Sequence, residues 1–152
     1  MAQPSRATTL IARSPFFATA GEDATAALLR ASFTQLLPRG TVLFEQGDQA
    51  GFLHMTLEGS VGLQARDERG HATTVEIFGA GELYLAPAAL LRLPYLASAV
   101  ALTEVRILMI PANLIRELLV EDHDFMKAVV FELASAYRRT VKELKNQKLR
   151  SG

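Results

Sequence analysis

The sequence predicts a mainly β fold with flanking helices: a jelly-roll (double-stranded β-helix) of short antiparallel strands, followed by one long C-terminal helix. Three observations carry this expectation. Between Leu37 and Leu63 the chain reads LPRGTVLFEQGDQAGFLHMTLEGSVGL, short β-type runs broken by Gly40, Gly47, Gly51 and Gly59. Runs so closely spaced, with no helices between them, close into an antiparallel roll rather than a parallel sheet. After Pro111 the apolar period lengthens and everything reads as helix. Finally, Met126, Val130, Leu133, Tyr137, Thr140, Leu144 and Gln147 follow one another by alternating steps of four and three, the seam of a two-stranded coiled coil.

Taken in order, residues 1–21 read as an N-terminal arm, with polar and small residues around Leu10, Ile11, Phe16 and Phe17. Ala24, Ala27, Leu28, Ala31, Phe33 and Leu36 predict a helix over Glu22–Leu37 that Pro38 and Gly40 end. In the following strand Leu53, Met55 and Leu57 share one face, and Phe52, His54 and Thr56 the other, where His54 is expected to be partly exposed. Glu58-Gly59 turns the chain into Ser60–Ala65, Asp67-Glu68-Arg69-Gly70 makes a polar hairpin tip, and Thr73–Phe78 returns. Leu83–Leu102 is the most apolar stretch. It holds Pro87, Arg92 and Pro94 with no flanking basic cluster, so it reads as buried β-structure with turns rather than a membrane span. Val105–Ile110 closes the sheet.

Pro111 suits the first turn of a short helix over Ala112–Leu119, where its missing donor has no partner to lose. Glu121, Asp122 and Asp124 place negative charge at the start of the last helix, expected from about Asp124 to Lys148. At 1.5 Å per residue that helix is ~37 Å long, more than a roll of this size can cover. The expected dimer interface is therefore Met126, Val130, Leu133, Tyr137, Thr140 and Leu144, while Phe125, Val129 and Val141 widen the apolar stripe toward the roll.

Composition narrows the function. A chain of 152 residues without cysteine has no disulfides, thiolate metal sites or thiolate-held clusters. The 16 basic and 16 acidic residues balance, but the last segment is lopsided: Arg138, Arg139, Lys142, Lys145, Lys148 and Arg150 stand against Glu143 alone. Cations suit a helix C-terminus, and the same run reads as the approach to a nucleic-acid-binding region. The opening MAQPSRATTLIARSP lacks the apolar core of a secretory signal, and the expected location is the cytoplasm. No Ser/His/Asp arrangement, phosphate-cradling glycine loop followed by Lys, or suitably spaced carboxylate pair argues for an enzyme.

Several segments together resemble the sensor half of Crp/Fnr-type bacterial transcription regulators: Ser14-Pro15-Phe16-Phe17, Pro38-Arg39-Gly40-Thr41-Val42-Leu43-Phe44, Gln46-Gly47-Asp48, Leu57-Glu58-Gly59-Ser60-Val61 and Ala101-Leu102-Thr103-Glu104. The resemblance implies an arm over 1–21, a cyclic-nucleotide-binding-like roll with short flanking helices over 22–120, and a dimerisation helix over 121–152. It also implies a DNA-binding helix-turn-helix domain after Gly152, outside this chain, so that the chain is expected to be a sensor fragment acting as a homodimer.

In cyclic-AMP-binding relatives a Gly-Glu pair contacts the ribose and an Arg-Ser pair holds the phosphate. The matching positions here hold Leu85-Ala86 and Tyr95-Leu96. Burying a phosphate without a cation costs several kcal/mol, so tight cyclic-nucleotide binding is not expected. The expected effector pocket is apolar, formed by Leu83, Leu85, Ala86, Tyr95, Leu96 and Ala97 with Thr140 and Val141 of the long helix opposite. The pattern resembles the branch of the family that responds to nitric oxide, which implies haem as a cofactor. Its candidate ligands here are His54 and His71, then His123, with Met55, Met109 and Met126 behind them. The alternative is a constitutive dimerisation module with a vestigial pocket.

Overall fold

The computed structural model describes residues 6–84 and 87–151. Three short helices come first: α1 (Arg6–Arg13), α2 (Pro15–Ala20) and α3 (Glu22–Ala31). Eight strands follow among the described residues, β1 (Phe33–Leu37), β2 (Val42–Phe44), β3 (Phe52–Glu58), β4 (Val61–Arg66), β5 (Ala72–Phe78), β6 (Leu83–Tyr84), β7 (Ser98–Ala101) and β8 (Val105–Pro111). Helix α4 (Pro87–Leu91) interrupts them between β6 and β7, and α5 (Ala112–Glu121) and α6 (His123–Ser151) come after β8. The strands form two antiparallel four-stranded sheets, ordered β1-β8-β3-β6 and β2-β7-β4-β5. This is the jelly-roll that the glycine-punctuated runs predict.

Strand alternation divides the core in two. On β3, Leu53, Met55 and Leu57 face a cluster with Phe16, Phe17 and Phe125 of the helices, and Leu108 and Ile110 of β8 join them. The opposite face of β8, Val105 and Ile107, points between the sheets with Phe44, Val61 and Leu63. Both faces of β3 are thus covered. His54 is only 8% exposed, which corrects the expectation of a partly exposed strand residue: the second sheet closes over the face that a single strand's pattern leaves open.

Two further expectations are corrected. The helix predicted over Glu22–Leu37 stops at Ala31, where the Ser32 hydroxyl donates to the Leu28 carbonyl at 2.6 Å, and Phe33–Leu37 instead pair with Met109–Val105 of β8. Pairing with a distant strand overrides the local helical period. The apolar stretch from Leu83 is not uniformly buried and contains α4. Its small residues Ala88, Ala89 and Ala99 go inside, whereas Leu91, Leu93 and Leu96 are exposed.

The turn at Gly59 (φ +84°) locks two hairpins together. A Cβ there would run into the Glu104 carbonyl, and Ser60 N donates to Thr103 Oγ1 at 3.1 Å. Helix α6 starts on Asp122, whose carboxylate accepts from Phe125 N at 3.0 Å, one of the orphan donors of a helix N-terminus. Its first turns are anchored by the fully buried Phe125, edge-on to Phe16 with centroids 5.8 Å apart. Beyond Leu133 the helix leaves the domain, and every residue from Tyr137 to Arg150 is exposed. No helix among the described residues is long and apolar enough to cross a membrane.

Candidate effector site

The interior of the roll, where the two sheets face each other, is filled by aromatic side chains. The short strand β2 delivers Phe44 to its centre. Tyr95 stacks on Phe44 at 3.7 Å between centroids, Tyr84 lies nearly parallel to Phe44 at 6.0 Å, and the His54 ring is 5.3 Å away. Phe78 packs on Tyr84 at 4.8 Å. The Tyr95 hydroxyl donates to the Phe52 carbonyl at 3.2 Å, and its main chain is tied to the preceding turn: Tyr95 N donates to Asp48 O, and Gly47 N donates to Tyr95 O. The cavity left among Phe44, His54, Thr56, Phe78 and Tyr84 has about 10 Å³ of free space, enough for no more than one water.

The electrostatics of this interior are neutral. Burial pushes the His54 imidazole down to about 4, so it carries no charge at neutral pH. Burial likewise pushes Tyr84 and Tyr95 up to about 12, with a smaller contribution to Tyr84 from the negative charge of Glu76. Neither hydroxyl ionises under ordinary conditions. Phe44, His54, Thr56, Phe78 and Tyr84 thus present no cation to a cyclic phosphate, which needs one when dehydrated.

The structure separates the residues that the sequence grouped into one pocket. Tyr95 and Ala97 are buried in the roll's cluster, whereas Leu96 between them, in the segment before β7, is 86% exposed. Leu83 packs against the helical cluster on the face opposite Tyr84. Leu85 and Ala86 lie outside the described residues. Thr140 and Val141 are exposed, and the Thr140 hydroxyl donates to Ala136 O of its own helix at 3.1 Å. The residues that do fill the interior with Tyr95 are Phe44, His54, Phe78 and Tyr84. The one available signal was their shared inward parity on strands, which becomes useful only once the strand pairing is known.

A second, open concavity lies between β5 and the outer half of α6. It measures about 1010 Å³ and has Val75, Glu76 and Ile77 on one wall, Arg139, Thr140, Glu143, Leu144 and Gln147 on the other, and Glu82 at its edge. Partial burial raises Glu76 above the usual carboxylate range; Arg139 pulls it down, and Glu143 and Glu82 push it further up. The seam of α6 is itself uncovered, with Met126, Val130, Tyr137 and Leu144 exposed and Leu133 partly buried.

The three candidate histidines lie on separate elements. His54 sits in space for one water. His71 is exposed at the β4–β5 hairpin tip, where its ring nitrogen lies 3.5 Å from Asp67 and its main-chain N–H donates to the same carboxylate at 2.9 Å. His123 is exposed at the start of α6. Among the described residues no group of three His, Asp or Glu is placed to hold a metal ion.

The family model described as the cyclic nucleotide-binding domain matches residues 34–122. The fold superposes on the catabolite activator protein of Thermus thermophilus with a TM-score of 0.73 and 26% identity, covering 87% of this chain and 62% of that one. It superposes on the N-terminal domain of a transcriptional regulator from Streptomyces coelicolor with a TM-score of 0.68 and 26% identity, covering 89% and 94%. The sensor domain of the transcriptional regulator DNR from Pseudomonas aeruginosa shares the fold at a TM-score of 0.75 and 18% identity, covering 89% and 91%. The chain spans less than two thirds of the longer structures it matches, 63% in the case of a regulatory protein from Silicibacter pomeroyi. A search of curated proteins found no match.

Proposed function

The chain belongs to the cyclic nucleotide-binding domain family, and from that premise we propose that it is the dimerising sensor module of a cytoplasmic Crp/Fnr-type transcription regulator whose roll does not take a cyclic nucleotide. The observation that carries the second half is the Tyr95 ring, which stands at the position expected to hold the phosphate-binding arginine and is stacked on Phe44 inside the roll. A cyclic nucleotide would have to displace that ring, break its bond to Phe52, and bury a phosphate beside neutral side chains. The first half rests on the uncovered coiled-coil seam of α6 and on the regulator sensor domains whose fold this chain shares. In the complete regulator, DNA is contacted by a domain other than this one.

Sensing of nitric oxide through haem is the finer expectation, and the placement of the histidines gives it no support. The nearly filled interior favours a second reading, a constitutive dimerisation module with a vestigial pocket. Titration calorimetry with cyclic AMP and cyclic GMP tests the proposal. No saturation is expected up to about 1 mM, equivalent to less than about 4 kcal/mol of binding; micromolar affinity for either nucleotide overturns it. Absorption spectra with and without added haem and nitric oxide decide the haem question. A stoichiometric Soret band would favour the haem reading over the vestigial pocket.

A further inference from the structure

We propose that the concavity between the end of α4 and the outer face of α5 binds a small zwitterion, an amino acid, with its carboxylate on Arg92 and Arg116 and its ammonium on Glu117 and Glu121. The concavity has about 390 Å³ of free space and is lined by Arg92, Asn113, Arg116, Glu117, Val120 and Glu121. It shares no lining residue with the roll interior, so this goes beyond the reading of the roll and does not depend on it.

The packing of α5 delivers these side chains. Ala112 and Ile115 go into the helical core, which leaves Asn113, Glu117, Val120 and Glu121 on the exposed stripe, four, three and one residues apart. Arg116 lies at the edge of that stripe. Its guanidinium donates to the Ala89 carbonyl of α4 at 2.8 Å and to Asn113 Oδ1, and its Nε–H is buried without an acceptor, a donor that a bound group can answer. The positive charge is thereby drawn toward Asn113, whereas Glu121 stands at the other end of the stripe, ~12 Å further along the axis at 1.5 Å per residue.

Arg92 supplies the facing cation. It follows the last residue of α4 with φ at +58°, and Leu93 N reaches back to Ala88 O at 3.2 Å to close the helix. Glycine is usual at such a left-handed cap because a Cβ is disfavoured there. Arginine at this turn gives the concavity a charge that glycine would not.

The charges stand around the concavity without pairing. Among the described residues the side chains of Arg92, Glu117 and Glu121 make no hydrogen bond or ion pair. A plain anion entering here meets Glu117 and Glu121, and a plain cation meets Arg92 and Arg116. A molecule that carries both charges finds an opposite charge for each. An amino acid has the carboxylate that an arginine fork accepts and the ammonium donors that carboxylates accept. Val120, 88% exposed, offers apolar contact to its side chain.

Titration of the isotope-labelled chain, followed by NMR, tests this with L-leucine and δ-aminovalerate, an α- and an ω-amino acid, beside isocaproate and isopentylamine, which each carry only one of leucine's two charges. At ~0.05 M salt, where surface charge is little screened, at least one of the two amino acids is expected to saturate below ~10 mM and to shift the amides of Arg92 and of the α5 residues that line the concavity. Isocaproate and isopentylamine are expected to bind about tenfold more weakly or worse. Arg92→Gly suits the left-handed turn, and Glu117→Gln with Glu121→Gln preserves size; each, folded by circular dichroism, is expected to weaken binding about fivefold or more. Absence of saturation by both amino acids at ~10 mM overturns the inference. Equal affinity for isocaproate or isopentylamine also overturns it, marking a plain anion or cation site, as does parental affinity in either variant, which moves the site elsewhere. None of these outcomes bears on the cyclic-nucleotide titration of the roll, so the two readings fail separately.

Discussion

Tyr95 lies face to face with Phe44, ring centroids 3.7 Å apart and planes 11° from parallel, across 51 residues of sequence. The contact joins the segment before β7 to β2, and through the Tyr95 hydroxyl it also reaches β3 at Phe52. The side chain that fills the roll is therefore also one of the pins that close it.

Removing this ring is expected to cost stability. Tyr95→Ala leaves a cavity beside Phe44 and is expected to lower unfolding free energy by about 3 kcal/mol, as other deletions of large buried side chains do. Tyr95→Phe keeps the stack and loses only the bond to the Phe52 carbonyl, for about 1 kcal/mol. Urea unfolding of the two variants measures both. Equal losses would mean that the hydroxyl, rather than the stack, holds this segment in place.

The jelly-roll was legible because short runs of period two, clearest in β3 and β4, follow one another between turn residues with no helix among them. Strand β1 was not. Phe33 and Leu36 extend the 3.6-residue rhythm of α3, and what makes them a strand is the edge of β8, about 70 residues further along the chain. The site divides in the same manner. The match of Tyr95 to the position where the resemblance implies an arginine concerns one residue and was legible directly as an expectation. The stacking of Tyr95 on Phe44, with Tyr84 and His54 around it, depends on which strands cross the roll interior, and no local pattern encodes that. Within one copy the residues expected to form the effector pocket do not converge: Leu96 is exposed, and Thr140 lines the groove beside β5.

Gly59 should tolerate no side chain. With φ at +84° and the Glu104 carbonyl in the space a Cβ would occupy, Gly59→Ala adds backbone strain of about 1–2 kcal/mol to an overpacking cost of about 1–3 kcal/mol. Thermal unfolding is the check. A loss under about 1 kcal/mol would show that the two hairpins can separate cheaply at this turn.

His54 makes stability fall with acid. Its pKa is about 4 folded against 6.5 unfolded, so between these values the unfolded chain binds a proton that the folded one refuses, and stability declines as pH drops through that window. The total is about 3 kcal/mol at 1.36 kcal/mol per pH unit, complete near pH 4. Comparison of His54→Gln with the parent by urea unfolding from pH 7 to pH 4 isolates the contribution. The variant should lose this part of the pH dependence while other titrating groups keep theirs, and parallel profiles would show that His54 is protonated in the fold.

Leu144 and Phe125 lie on the same helix and should report different events. Phe125 is fully buried against Phe16, whereas Leu144 is about half exposed and lies in the seam beyond the point where α6 leaves the roll. Leu144→Glu is expected to leave the monomer fold intact and convert a dimer at tens of micromolar into a monomer, because an unpaired charge in an apolar seam is expensive. Phe125→Ala is expected to cost about 3–5 kcal/mol of fold stability instead. Sedimentation velocity on Leu144→Glu, with circular dichroism on both variants, separates the two effects. If Leu144→Glu remains dimeric, the association surface lies elsewhere on the molecule; if it unfolds, the outer half of α6 is held by its own roll rather than by a second chain.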